Sequence, residues 1–114
     1  MPGYRIDRLN EDIKREITDI LREVKDPHIK GLVSIVKVSV SSDLSYAKVY
    51  VSVLGSDIEK DNAIEGLKKA SGFIRRELGQ RLDIRYIPEL HFNLDRSIEY
   101  SVEVAKKLEE LKLS

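Results

Sequence analysis

Two valine-rich runs, LVSIVKVSVS over residues 32–41 and YAKVYVSVL over residues 46–54, are joined by the short polar stretch SSDLS, and this arrangement restricts the chain more than any other feature. Both runs are β-branched and alternate. In the first, Val36, Val38 and Val40 share one face while Lys37, Ser39 and Ser41 share the other. In the second, Ala47, Val49, Val51 and Val53 oppose Tyr46, Lys48, Tyr50 and Ser52. Asp43 is suited to bond its own backbone within a turn, so the pair predicts an antiparallel hairpin. Val33 and Ile35 fall out of phase with the later valines, which predicts a bulge in the first strand or a late start to it.

The hairpin is flanked by helical periods. Ile6, Leu9, Ile13, Ile17, Ile20, Leu21 and Val24 recur at three- and four-residue steps, predicting a helix from about Asp7 to Lys25. Asp26-Pro27 ends it and Gly31 lets the loop turn. After Gly55-Ser56-Asp57, a second period places Ile58, Ile64, Leu67, Ile74 and Leu78 on one stripe. Gly72 lies in the middle of this helix, where it costs on the order of 1 kcal/mol relative to alanine. Phe73 would point away from the apolar stripe in an unbroken helix. A kink at Ala70-Ser71-Gly72 would resolve both difficulties by rotating the second half and bringing Phe73 inward. Residues 84–94 then read as a strand, with Ile84, Tyr86, Leu90, Phe92 and Leu94 in phase, and Pro88 restricts it to a sheet edge. Asp95-Arg96-Ser97 introduces a last helix over about 97–112.

The predicted order is α-β-β-α(kink)α-β-α, an α+β domain. A right-handed helical crossover from the second strand to the third makes those two parallel if they are neighbours, giving a three-stranded mixed sheet of order 1-2-3 with the helices on one face. At 114 residues the chain is expected to form a single domain, 1–114. There is no cysteine, which excludes disulfides, thiolate nucleophiles and Cys-based zinc sites and suits a reducing compartment. MPGYRIDRLNED holds no signal-peptide core and no segment is long and apolar enough for a membrane helix, so a cytoplasmic protein with no membrane partner is expected. Net charge is zero, yet residues 68–85 carry six basic against two acidic side chains. Those cations are Lys68, Lys69, Arg75, Arg76, Arg81 and Arg85. Such a strip is either a solvated helix face or a place to meet a polyanion.

DPHIKG (26–31), SSDLSYAKVYVSVLG (41–55), LKKASGFIRRELGQRLDIRYIPEL (67–90) and DRSIEY (95–100) together resemble the ribosome-binding factor A family over nearly the whole chain. The resemblance implies a type II KH-like fold in which an AxG kink, here Ala70-Ser71-Gly72, replaces the usual GxxG loop between two helices. It implies a non-enzymatic factor that binds the free small (30S) ribosomal subunit and its 16S rRNA near the neck and decoding region. It further implies assistance to late maturation and rRNA processing, notably in the cold. Two positions depart from the family pattern: His28, where arginine is common, and Ser42, where proline is common. Without a GxxG loop, which clamps four nucleotides in ordinary KH domains, recognition of rRNA shape and phosphates is expected. The six cations above are then candidate RNA-binding residues.

Catalytic and metal chemistry find little support. His28 follows a proline in a loop, and His91 falls in the outward phase of the third strand. Asp95 and Glu99 are four residues apart, but Asp95 beside a helix start reads as a cap rather than half of an acid pair. No glycine-rich phosphate loop and no metal-ligand cluster stand out, so no cofactor is expected. Tyr46 and Tyr50 form either a stacking platform or, more ordinarily, cross-strand packing. A protein-interaction module docking through residues 98–112 is the alternative reading. A monomer is the simplest expectation.

Overall fold

A computed structural model describes residues 2–95, with side chains from Arg5 onward. The last helix expected over 97–112, and the docking role considered for it, lie outside the described residues. Five elements follow one another: α1 (Pro2–Leu21), β1 (Val33–Val40), β2 (Tyr46–Val53), α2 (Asp57–Arg81) and β3 (Glu89–Leu94). The sheet has the order β1-β2-β3, with β1 antiparallel and β3 parallel to the central strand. The expected α+β fold and mixed sheet are therefore present.

The phase slip in the first strand has a structural cause. The register shifts between Ile35 and Lys37, so Val36 is the extra residue of a bulge and Ile35, Val38 and Val40 all reach the core. Ala47, Val49, Val51 and Val53 of β2 and Leu90 and Phe92 of β3 are buried on the same side. Tyr46, Lys48 and His91 remain exposed on the other. Both helices lie on the buried face: α1 along β1, α2 along β3, and the two against each other. Ile13, Ile17, Ile20, Leu67, Ile74 and Leu78 are removed from solvent between them.

Several boundaries differ from the expected ones. The α-helical bonding of α1 ends at Leu21 rather than near Lys25. Arg22, Glu23 and Val24 instead donate their N–H groups to carbonyls three residues back, a tightening common at helix ends that still carries Val24 into the core. The loop 26–31 is held from within: Asp26 Oδ1 accepts the His28 N–H at 2.9 Å, and the Asp26 carbonyl accepts from Ile29 and Lys30. This places Ile29, absent from the helical period, at 1% exposure beneath α2. Gly66 permits the approach, because a Cβ there would stand 2.9 Å from Asp26 Oδ2 and 3.2 Å from Ile29 Cδ1.

At the start of α2, Ser56 and Glu59 form a capping box, with the Glu59 N–H donating to Ser56 Oγ at 3.2 Å. Ile58 lies in the first turn beyond that cap and is 73% exposed, so it does not belong to the apolar stripe. The helix then continues unbroken through Ala70-Ser71-Gly72. Ile74 and Leu78 are buried in phase with Leu67. Phe73 accordingly remains 39% exposed, and the inward turn expected of it does not occur. The Ser71 hydroxyl donates to the Lys68 carbonyl at 2.8 Å, a back-bond of the kind that bends helices slightly. Finally, β3 starts at Glu89 and not at residue 84. Pro88 has no N–H, so pairing begins one residue later; the Glu89 N–H donates to the Ser45 carbonyl at 3.0 Å. Tyr86, expected to share the inward phase of that strand, lies before it and is 73% exposed.

Candidate nucleic-acid interface

A helix advances about 100° per residue, so the buried stripe of Ala63, Leu67, Ile74 and Leu78 fixes what faces outward. Directly opposite lie Lys69, Gly72 and Arg76, with Lys68 and Arg75 to one side. All five are exposed except where Arg75 turns inward: its Nη2 donates to the Ile87 carbonyl at 2.9 Å and braces the segment leading into β3. Lys68, Lys69 and Arg76 form no ion pair among the described residues. Lys69 and Arg76 stand about 10 Å apart along the axis, with Gly72 between them. Their charge is therefore neither neutralised nor covered by the described fold, and it surrounds a patch of helix backbone without a side chain.

That bare patch is not required by packing. Gly72 has no positive φ, unlike Gly31 and Gly55, and no atom lies within 4 Å of where its Cβ would be. Ala70 and Ser71 beside it are half-buried.

Arg81 is in a different situation. Its Nη1 reaches Asp19 Oδ2 at 2.7 Å and Glu16 Oε2 at 3.6 Å, while Nη2 reaches Glu23 Oε1 at 3.0 Å. The hydrogen bond to Asp19, with Glu23 behind it, raises its pKa above the ordinary arginine value. Glu16, Asp19 and Glu23 recur at three- and four-residue steps on α1 and so present one acidic face to the end of α2. Arg81 joins the helices there and stands apart from the exposed strip in which its sequence position had placed it. Arg85 is exposed, its guanidinium 5.6 Å from the centre of the Tyr86 ring.

The histidines sit on the surface. His28 is exposed in the loop after Pro27; His91 is exposed on the outer sheet face, 5.3 Å from Tyr46 with nearly parallel rings. Tyr46 thus stacks on a neighbouring strand, while Tyr50 is half-buried on the same face. Among the described residues no group of three or more His, Asp or Glu side chains is placed to hold a metal ion, and no helix is long and apolar enough to cross a membrane.

Sequence reasoning missed a second cluster. Arg5 and Arg8 on α1, Leu44 in the β1–β2 turn and Ile84 line a groove of about 590 Å³ that continues past Arg85 and Tyr86. Its only sequence signal was the pairing of Arg5 and Arg8 with Ile6 and Leu9 on one turn of helix.

A helix, an antiparallel hairpin and a long helix crossing to a parallel edge strand, with a cationic outer helix face, define a KH-like domain. A family model described as ribosome-binding factor A matches residues 5–108. The chain belongs to the ribosome-binding factor A family. It is 57% identical over 107 residues to ribosome-binding factor A of Acetivibrio thermocellus, covering 93% of this chain and 87% of that one. The solution structure of a putative ribosome-binding factor A from Thermotoga maritima superposes with a TM-score of 0.75 at 35% identity, over 87% of this chain and 94% of that one. A homology model of the Thermus thermophilus protein, fitted into a cryo-electron-microscopy map of its 30S complex, gives a TM-score of 0.65 at 25% identity, covering 76% and 91%.

Proposed function

We propose that this chain is a non-catalytic assembly factor that binds the free small (30S) ribosomal subunit through 16S rRNA and assists its late maturation and rRNA processing, including in the cold. It acts in the cytoplasm as a monomer. The observation that carries this reading is the Lys69–Gly72–Arg76 face of α2: two cations without a partner among the described residues flank bare helix backbone. A phosphodiester chain is the ligand that uses both, since charge draws it in and the missing side chain lets it approach. Lys68, Arg75 and Arg85 extend the contact, whereas Arg81 supports the scaffold behind it. The family name, and the 30S complex of the Thermus thermophilus relative, support the choice of partner.

Co-sedimentation with free small subunits tests the reading, using the unaltered protein and Lys69→Glu/Arg76→Glu at low and moderate salt. Phosphate contacts weaken steeply with salt, by about 0.7–0.9 in the log-log slope for each phosphate neutralised. The unaltered protein should pellet and be released by salt, and the double variant should fail to pellet while keeping its thermal midpoint. A folded double variant that pellets as well as the unaltered protein would show the strip to be a solvated face.

A further inference from the structure

Leu44 has φ of 63°, the left-handed region that leucine rarely adopts, and is nevertheless 44% exposed. Its N–H closes the turn on the Ser41 carbonyl at 2.9 Å, and Ser41, Asp43 and Ser45 supply the other hydrogen bonds, so the turn holds the backbone of Leu44 without using its side chain. The side chain instead forms part of a floor with Leu9 and Ile84, shared by two adjoining cavities of about 590 and 500 Å³. Such volumes suit a small-molecule-sized group, about 300–1,000 Å³ being usual. The rim is cationic and aromatic: Arg8 on α1, then Arg85 and the largely exposed Tyr86 opposite. The acids that line the groove are occupied, Asp12 by Arg15 at 3.1 Å and Asp43 by the serines of its own turn. Arg75, gripping the Ile87 carbonyl, ties the groove wall to the basic face of α2.

We propose that this groove receives one unpaired nucleotide of the bound RNA, its base against Leu9, Leu44, Ile84 and the Tyr86 ring and its phosphate between Arg8 and Arg85. The inference rests on the RNA-binding reading above and adds a single-stranded element to it. An apolar partner helix would match the floor but strand the arginines. An acidic peptide would match the arginines but leave the floor and the ring without a planar group to cover them. A nucleotide satisfies all three, and base stacking on an aromatic side chain is sequence-tolerant.

The test is methyl NMR on protein labelled at Leu and Ile, titrated separately with a single-stranded uridylate hexamer, a fully paired RNA duplex and polyglutamate. The hexamer should move the Leu9, Leu44 and Ile84 methyls, and the duplex and polyglutamate should not. Tyr86→Ala should weaken the hexamer roughly 5- to 150-fold. Leu44→Asn, a residue that accepts the left-handed backbone, should fold at least as stably and also lose affinity. Lys69→Glu/Arg76→Glu should leave the three methyl responses in place. If the hexamer leaves these methyls unmoved while the α2 variant still loses the small subunit, the groove inference fails and the strip reading stands. Methyl responses together with an α2 variant that still pellets would sustain the groove and overturn the strip. Equal responses to polyglutamate would make the groove an acidic-peptide site and overturn the proposal.

Discussion

Replacing Gly72 with alanine should separate what α2 needs from what its ligand needs. The residue is helical, lacks a positive φ, and has no atom within 4 Å of the position a Cβ would take, so alanine enters without strain. Alanine is favoured over glycine in a helix interior by about 1 kcal/mol. That gain corresponds to a rise of roughly 4 °C in thermal midpoint for a domain near this size. Far-UV circular dichroism melts and urea titrations measure it, and both midpoints should increase. Binding to free small subunits should move the opposite way, falling severalfold, because the new methyl group stands between Lys69 and Arg76 where a phosphodiester chain would lie against the backbone. A loss of stability would refute the reasoning at its base, by showing that the glycine serves the fold. A gain in stability with unchanged binding would refute the close approach and leave the glycine without a role.

Gly66→Ala, six residues earlier in the same helix, should lower stability by on the order of 1 kcal/mol despite the same gain in propensity, since its Cβ would meet Asp26 Oδ2 at 2.9 Å and Ile29 Cδ1 at 3.2 Å; urea midpoints decide this. Arg81→Gln should lower the thermal midpoint, more at low than at high salt, because three α1 carboxylates lose their common partner, while small-subunit binding is retained. A loss of binding by the folded variant would return Arg81 to the RNA-binding strip. The Asp43 carboxyl, held by the Ser41 and Ser45 hydroxyls, is lowered from 3.8 to about 2. Its contribution to stability is present above the unfolded value and is lost as pH falls toward 2, so Asp43→Asn should flatten the stability profile between those values. Carboxyl NMR should place its midpoint near 2.

Local chemistry made the hairpin legible. Alternation gave its two faces, the phase slip at Val33 and Ile35 marked the bulge, and Asp43 marked the turn. The order of the sheet followed from the helical crossover together with Pro88, which restricted the third strand to an edge. Features that depend on distant partners were not legible. Arg81 read as one more cation because its three carboxylates lie about sixty residues earlier, and no local pattern links the two helices. Ile29 read as loop because the surface that buries it lies on α2 at Gly66, far along the chain. Phe73 departs from expectation for a different reason: a large aromatic does not require burial, and single apolar residues on a surface are common. For the basic strip, composition located the excess of positive charge on α2 and the segment after it. Only the folded chain divides it into cations that face outward, Arg75 that braces the backbone, and Arg81 that joins the helices.

The Ser56–Glu59 capping box and the Arg81 ion pairs lie at opposite ends of α2, a helix of 25 residues and so about 37 Å long. The cap closes the helix's own first turn and the ion pairs tie its last to α1, and the continuous helix between them keeps the backbone spacing of whatever it displays. On the proposed RNA-binding reading, Lys69 and Arg76 would act as the marks of a ruler, and a polyanion would have to present its charges at that interval to engage both. A ligand already stiff at the matching distance loses little freedom on docking, whereas a floppy one has to be ordered first. On that reading, discrimination between rigid and flexible polyanions would follow from the continuity of the helix, with no base having to be read.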